Sequence, residues 1–89
     1  MKLKYTMAVQ QVADGFVAVA VGADAGKFGG LVRLNATGAF MMEQLGAEIG
    51  EDELVKRLLE KYDADETVLR ANVREFVKHL KDDGLLEDA

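Results

Sequence analysis

The sequence predicts an α+β fold in which a three-stranded antiparallel sheet is followed by three helices. The first third is rich in β-branched residues and in glycine-containing turns, which favour strands. From Asn35 onward, apolar residues recur at helical spacing instead. The 89 residues predict a single domain, residues 1–89, that needs most of its apolar side chains for stability.

The predicted strands are residues 6–12, 16–21 and 31–34. The dipeptide Asp14-Gly15 is a turn signal, because these residues accept the positive φ of tight hairpins. The second strand is apolar on both faces, which suits the middle of a small sheet. Tight connections favour an antiparallel meander. Its last strand is then an edge with unpaired backbone groups.

Two shorter helices follow the sheet. Asn35 is a good N-cap for a helix over residues 36–45, which Gly46 ends. Ile49 and Leu54 bracket the start of the second helix as a hydrophobic staple, and three carboxylates lie in its first turn. Together with a third helix, these elements predict a winged-helix-like bundle.

The third helix lies in residues 65–86. Asp65 can cap its first turn, Gly84 can adopt the left-handed conformation that ends a helix, and Leu85 can fold back onto the last turn. An apolar stripe recurs at helical spacing: Leu69, Val73, Phe76 and Leu80. A basic stripe lies beside it: Arg70, Arg74, Lys78 and Lys81. Val77 falls at the seam between the two stripes.

Composition excludes several kinds of chemistry. Cysteine and serine are absent, so disulfides, thiolate metal sites and the usual nucleophiles are excluded. His79, beside Asn72 and Glu75, is the only histidine and reads as a solvated side chain. We therefore expect no enzymatic activity, no metal and no cofactor. The lack of cysteine and of an apolar signal segment predicts a cytoplasmic protein.

The basic stripe has two interpretations. It is either a solvated helix face or a docking face for an acidic partner, and the open edge of the third strand supports docking. A net charge of −5 argues against nucleic acid and anionic membranes as partners. A nucleic-acid-binding or regulatory winged helix is the alternative function. The strand edge can also pair with a second copy to form a weak homodimer.

Three stretches of the sequence resemble the PqqD family: L-N-A-T-G-A-F at 34–40, the acidic amphipathic segment 51–63, and residues 73–86 with their terminal L-x-x-x-G-L-L. The resemblance implies a recognition element for the precursors of ribosomally synthesised, post-translationally modified peptides. Such domains bind a leader peptide as an added strand against the third strand, beside the third helix. They present it to a modifying enzyme, which in the namesake pathway of PQQ biosynthesis is a radical SAM protein.

The resemblance and the residue pattern together predict a peptide-binding site. Its strand edge is Leu31, Val32, Arg33 and Leu34. Its predicted helix wall combines the apolar residues Leu69, Val73 and Val77 with the cations Arg70, Arg74 and Lys81. The cations would attract a leader rich in Asp and Glu. Asn72 and His79, on the other flank of the helix, are predicted to lie outside the site. The family serves several pathways, so the resemblance leaves the peptide product open.

Overall fold

The structure, a computed structural model, describes residues 1–87. Its elements are the strands β1 (Met7–Val12), β2 (Gly15–Ala20) and β3 (Leu31–Leu34), followed by the helices α1 (Ala36–Gln44), α2 (Glu51–Lys61) and α3 (Glu66–Asp82). A short 3-10 turn at Gly22–Asp24 begins the connection between β2 and β3. The sheet is antiparallel with the order β1-β2-β3, so the predicted α+β fold is confirmed.

The β1–β2 turn differs from the prediction. The turn residues are Ala13 and Asp14, Ala13 carries the positive φ of 54°, and Gly15 is the first residue of β2. A turn at Asp14-Gly15 would slide the pairing by two residues and place Gln11 opposite the buried Ala18. The observed register places Val9 there instead. Burial of an apolar cross-strand pair therefore overrides the local turn signal.

The two faces of the sheet have different environments. Val9, Ala18 and Val32 are direct cross-strand neighbours on the face that packs against the helices, and Ala18 is fully buried there. On the opposite face, Val19 pairs with Leu31, and Leu31 remains 53% exposed. The short β3 therefore contributes alternate residues to the core and to the surface.

Local signals set the starts of α1 and α2. The Oδ1 atom of Asn35 accepts a hydrogen bond from the Gly38 N–H at 2.7 Å, as expected of an N-cap. Ile49 and Leu54 are both buried at the start of α2, which confirms the hydrophobic staple.

α3 ends at the predicted glycine. The side chain of Asp65 caps its start by accepting a hydrogen bond from the Thr67 N–H at 2.8 Å. Gly84 has a φ of 74°, and the Leu85 N–H donates to the Leu80 carbonyl at 2.8 Å, which completes a Schellman motif. Leu85 is fully buried, and Leu86 forms an antiparallel bridge with Leu3. The extended tail therefore covers the core.

The core lies where the helices meet the sheet and the tail. From α3 it takes Leu69, Val73, Val77 and Leu80. Two residues differ from the predicted stripe. Val77 is only 9% exposed and belongs to the core, whereas Phe76 is half-buried and faces a surface groove. α3 is thus rotated slightly from the orientation that its periodicity suggested.

Candidate functional site

The outer edge of β3 carries backbone groups that no other strand of the described residues 1–87 pairs. The Val21 N–H donates to the Thr6 carbonyl at 2.9 Å, which identifies the hydrogen-bonded pairs between β1 and β2. Because antiparallel pairs alternate, the backbone of Ala18 points away from β1 and bonds Val32. The N–H and C=O groups of Leu31 and Arg33 therefore point outward along the open edge.

A groove runs between this strand and α3. We call it the β3–α3 groove. One part, of about 550 Å³, lies between β3, Phe28 and the C-terminal half of α3. A second part, of about 350 Å³, continues toward the start of α1. On the α3 side, the two parts are lined by Asn72, Glu75, Phe76, His79, Leu80 and Asp83. An extended segment lying along β3 would therefore project side chains into this groove.

The middle of the groove is aromatic and tightly built. Phe76 lines both parts, and its ring approaches the start of α1 at Gly38. A Cβ atom on Gly38 would lie 3.3 Å from Phe76 Cε1 and 3.4 Å from Leu34 Cδ2. The glycine of the L-N-A-T-G segment thus allows β3, α1 and α3 to approach one another. At the end of the groove beside the C-terminal half of α3, the ring of Phe28 packs against Tyr5 with ring centroids 6.3 Å apart.

Polar groups flank the aromatic floor. His79 Nε2 lies 3.8 Å from Glu75 Oε1, one helical turn away, and both side chains are exposed. Arg33, on β3, also lines both parts of the groove. The groove therefore offers apolar contact in its centre and both hydrogen-bond donors and acceptors along its rim.

The predicted α3 residues of the site lie elsewhere. Leu69 and Val73 are buried in the core. Arg74, Val77 and Lys81 line a separate depression near Met1. The structure therefore does not place the predicted helix wall beside β3, because the opposite flank of α3 faces the strand.

Arg70 and Arg74 are paired with α2. Arg70 Nη1 donates to Glu51 Oε2 and to Asp52 Oδ1, each at 2.8 Å. Arg74 donates to the same Glu51 carboxylate through Nε at 2.9 Å and Nη2 at 3.2 Å. These two arginines of the basic stripe are therefore paired within the protein, because α2 begins beside them.

These ion pairs change the protonation equilibria of the groups involved. Hydrogen bonds from Arg74 and Arg70 hold the pKa of Glu51 below its usual range. The hydrogen bonds that Arg70 donates to Asp52 and Glu51 raise the pKa of Arg70, and those that Arg74 donates to Glu51 raise the pKa of Arg74. The cluster stabilises the packing of α2 on α3 and leaves the two arginines less available to an external partner.

The groove residues on α3 differ from those that the sequence pattern predicts. His79 and Asn72 were assigned to the flank away from the site, yet both line the groove. Phe76 was assigned to the core. One signal was present in the sequence: Phe76 is the only aromatic residue of α3, and aromatic residues are common at peptide-binding surfaces.

Two features associated with other functions are absent from residues 1–87. No group of three His, Cys, Asp or Glu side chains in this range converges as a metal site would require. Within the same residues, no helix has the length and apolarity needed to cross a membrane.

The fold and the groove define a small α+β domain that keeps one strand edge open beside a helix. The family described as coenzyme PQQ synthesis protein D (PqqD) matches residues 8–86, and the chain belongs to this family.

Two solved structures share the fold. One is TbiB1 in complex with the TbiA(beta) leader peptide, with a TM-score of 0.74 and 21% identity, covering 100% of this chain and 98% of that one. The other is lasso peptide synthetase B1 complexed with the leader peptide, with a TM-score of 0.71 and 22% identity, covering 98% of this chain and 96% of that one. No curated protein matches the sequence.

Proposed function

We propose that this protein binds the leader segment of a ribosomally synthesised precursor peptide by adding it as a strand to the edge of β3. The observation that carries the proposal is the outward-facing backbone of Leu31 and Arg33, beside a groove with an aromatic floor. Main-chain hydrogen bonds to the edge supply affinity for an extended chain, and side pockets supply specificity.

The β3–α3 groove supplies two such pockets. One lies near Phe28 and Leu80, the other near Gly38 and Asn72, and Phe76 forms a wall of both. Alternate side chains of an extended peptide are about 7 Å apart and point the same way, so successive inward residues can enter successive pockets. Apolar burial in these pockets then holds the peptide against the strand.

Family membership supports the same role. Both structural neighbours were solved with leader peptides, and their fold covers nearly all of this chain. The proposed partner is therefore a precursor peptide. We further propose that the protein is non-catalytic and presents the bound peptide to a modifying enzyme of the radical SAM class, the class that the resemblance to PqqD implies.

Nucleic acid is not favoured as the ligand. Two of the four cations of the basic stripe are engaged with α2 carboxylates, and the chain carries a net charge of −5. A weak homodimer formed through β3 would compete with peptide binding, since both need the same edge.

The experiment is a titration of isotopically labelled protein with the leader of the precursor peptide encoded beside it. We expect binding with a Kd in the micromolar range or tighter. Amide exchange should slow at Leu31 and Arg33 on binding, whereas Val32 is already bonded to β2 and should change little. Light scattering over the same concentrations tests the homodimer. Absence of binding, or protection confined to residues outside β3, would refute the proposal.

A further inference from the structure

A second surface lies on the side of α3 that faces away from the β3–α3 groove. We call it the α3 basic face and define it by Arg74, Lys78 and Lys81. These cations surround a depression of about 390 Å³. Met1 and Val77 also line it and supply apolar contact.

The cations of this face differ in their pairing. Arg74 is bound to Glu51 but is still 66% exposed. Lys78 and Lys81 are exposed and form no ion pair with any residue in the described range 1–87. Asp82 lies on the rim but pairs with neither lysine. The carboxylates of Glu51 and Asp82 also line the depression, so its three basic side chains leave a small positive surplus beside an apolar patch, in a chain of net charge −5.

Helix electrostatics explain only part of this arrangement. Lys81 lies in the last turn of α3, where a cation interacts favourably with the helix dipole. Lys78 lies before the last turn, so the helix dipole does not account for it. The apolar contact beside it is supplied by Met1, from a different part of the chain. Two exposed lysines beside an apolar depression are the elements of a docking surface with electrostatic steering.

We infer that the α3 basic face docks an acidic segment of the enzyme that receives the peptide. The inference rests on the proposed function, because it requires such an enzyme. The charge of the surface selects a carboxylate-rich partner. Its position selects the enzyme rather than the leader, since transfer requires both to be bound and α3 separates this face from the groove. The docked enzyme leaves the open edge of β3 free for the peptide.

The test uses the full chain and the peptide-modifying enzyme encoded beside it. The variant Lys78→Glu/Lys81→Glu reverses two charges of the face. The control Lys2→Glu/Lys56→Glu makes the same change in net charge at two exposed lysines that do not line the depression. Affinity for the enzyme and for the leader is measured separately, and circular dichroism checks that each variant is folded.

We expect the Lys78/Lys81 variant to bind the enzyme at least about tenfold more weakly, equivalent to about 1.4 kcal/mol. The control variant should bind the enzyme like the unaltered protein, and both variants should keep their affinity for the leader. Added salt should weaken enzyme binding by the unaltered protein and narrow the difference between the variants.

Other results would overturn the inference in distinguishable ways. Equal enzyme affinity in both variants, or no enzyme binding by the unaltered protein, would show that the face is only a solvated surface. Loss of leader affinity in the Lys78/Lys81 variant would assign the face to the peptide site instead. If the unaltered protein binds the enzyme but no leader, the proposed function fails while the docking surface stands.

Discussion

The open edge of β3 provides the sharpest prediction, because a single backbone N–H can be removed from it. Arg33→Pro deletes the N–H that points outward, and proline is tolerated on edge strands where no ladder bond is lost. Arg33→Ala removes the same side chain but keeps the N–H. The difference between these two variants therefore isolates one main-chain hydrogen bond to the peptide.

The magnitude follows from the hydrogen bond. Loss of a donor that leaves a carbonyl of the bound peptide unsatisfied costs about 1–3 kcal/mol. We expect Arg33→Pro to bind the leader roughly 5- to 150-fold more weakly than Arg33→Ala, as measured by calorimetric titration. Stability should change little between them, since Val32 before the proline is already extended, as a residue preceding proline prefers.

A matched variant on the same strand should lower the stability of the fold instead of removing an outward-facing donor. Val32→Pro removes an N–H that bonds β2 and leaves the Ala18 carbonyl without a partner, which costs about 1–3 kcal/mol of the free energy of unfolding. Thermal unfolding should detect this loss. Equal leader affinities for the Arg33→Pro and Arg33→Ala variants would refute strand addition at this edge, and a large loss of stability in Arg33→Pro would refute the assigned hydrogen-bond pattern.

Three further predictions concern the scaffold. Gly84→Ala should lower stability by about 1 kcal/mol, or the melting temperature by about 4–8 °C, through the positive φ alone, because an added Cβ meets no atom within 4 Å. Thermal unfolding checks this against Gly26→Ala, at a glycine that has the same open space but no positive φ. Asn35→Ala should cost about 0.5–2 kcal/mol in urea unfolding by removing the N-cap of α1, and an unchanged midpoint would contradict the assigned cap. Because the pKa of Glu51 is lowered, its ion pairs stabilise the folded protein fully above its ordinary pKa of 4.5, and this contribution is lost as pH falls through the lowered value. Glu51→Gln should therefore destabilise the protein at neutral pH and progressively less in acid. A pH-independent difference in melting temperature between the variant and the unaltered protein would contradict this.

The element boundaries were largely predictable because their signals are local. Asn35 and Asp65 cap helices through hydrogen bonds to backbone N–H groups within three residues of themselves. Gly84 ends α3 through its own φ. The third strand was predicted at its observed bounds, Leu31–Leu34, and its position at the edge of the sheet followed from the order of the strands.

The β1–β2 turn shows where local signals fail. Asp14-Gly15 favours a tight turn, but the cross-strand partner of Ala18 decides the register. That partner, Val9, is nine residues away from it in the chain. The orientation of α3 is a larger case of the same kind. Periodicity predicts the apolar stripe correctly at Leu69, Val73 and Leu80. It places Phe76 in the core and Val77 at the seam, whereas Val77 is the buried residue and Phe76 is half-buried beside the groove.

The sequence contains enough to specify that α3 has a core face, a basic flank and a flank with Asn72 and His79. Which flank faces β3 depends on where α2 packs. Glu51 and Asp52, at the start of α2, bind Arg70 and Arg74 from across the bundle, which places the basic flank on the α2 side. The groove beside β3 is then lined by the other flank. No short-range pattern encodes this choice, because it is made by contacts between residues about twenty positions apart in the chain.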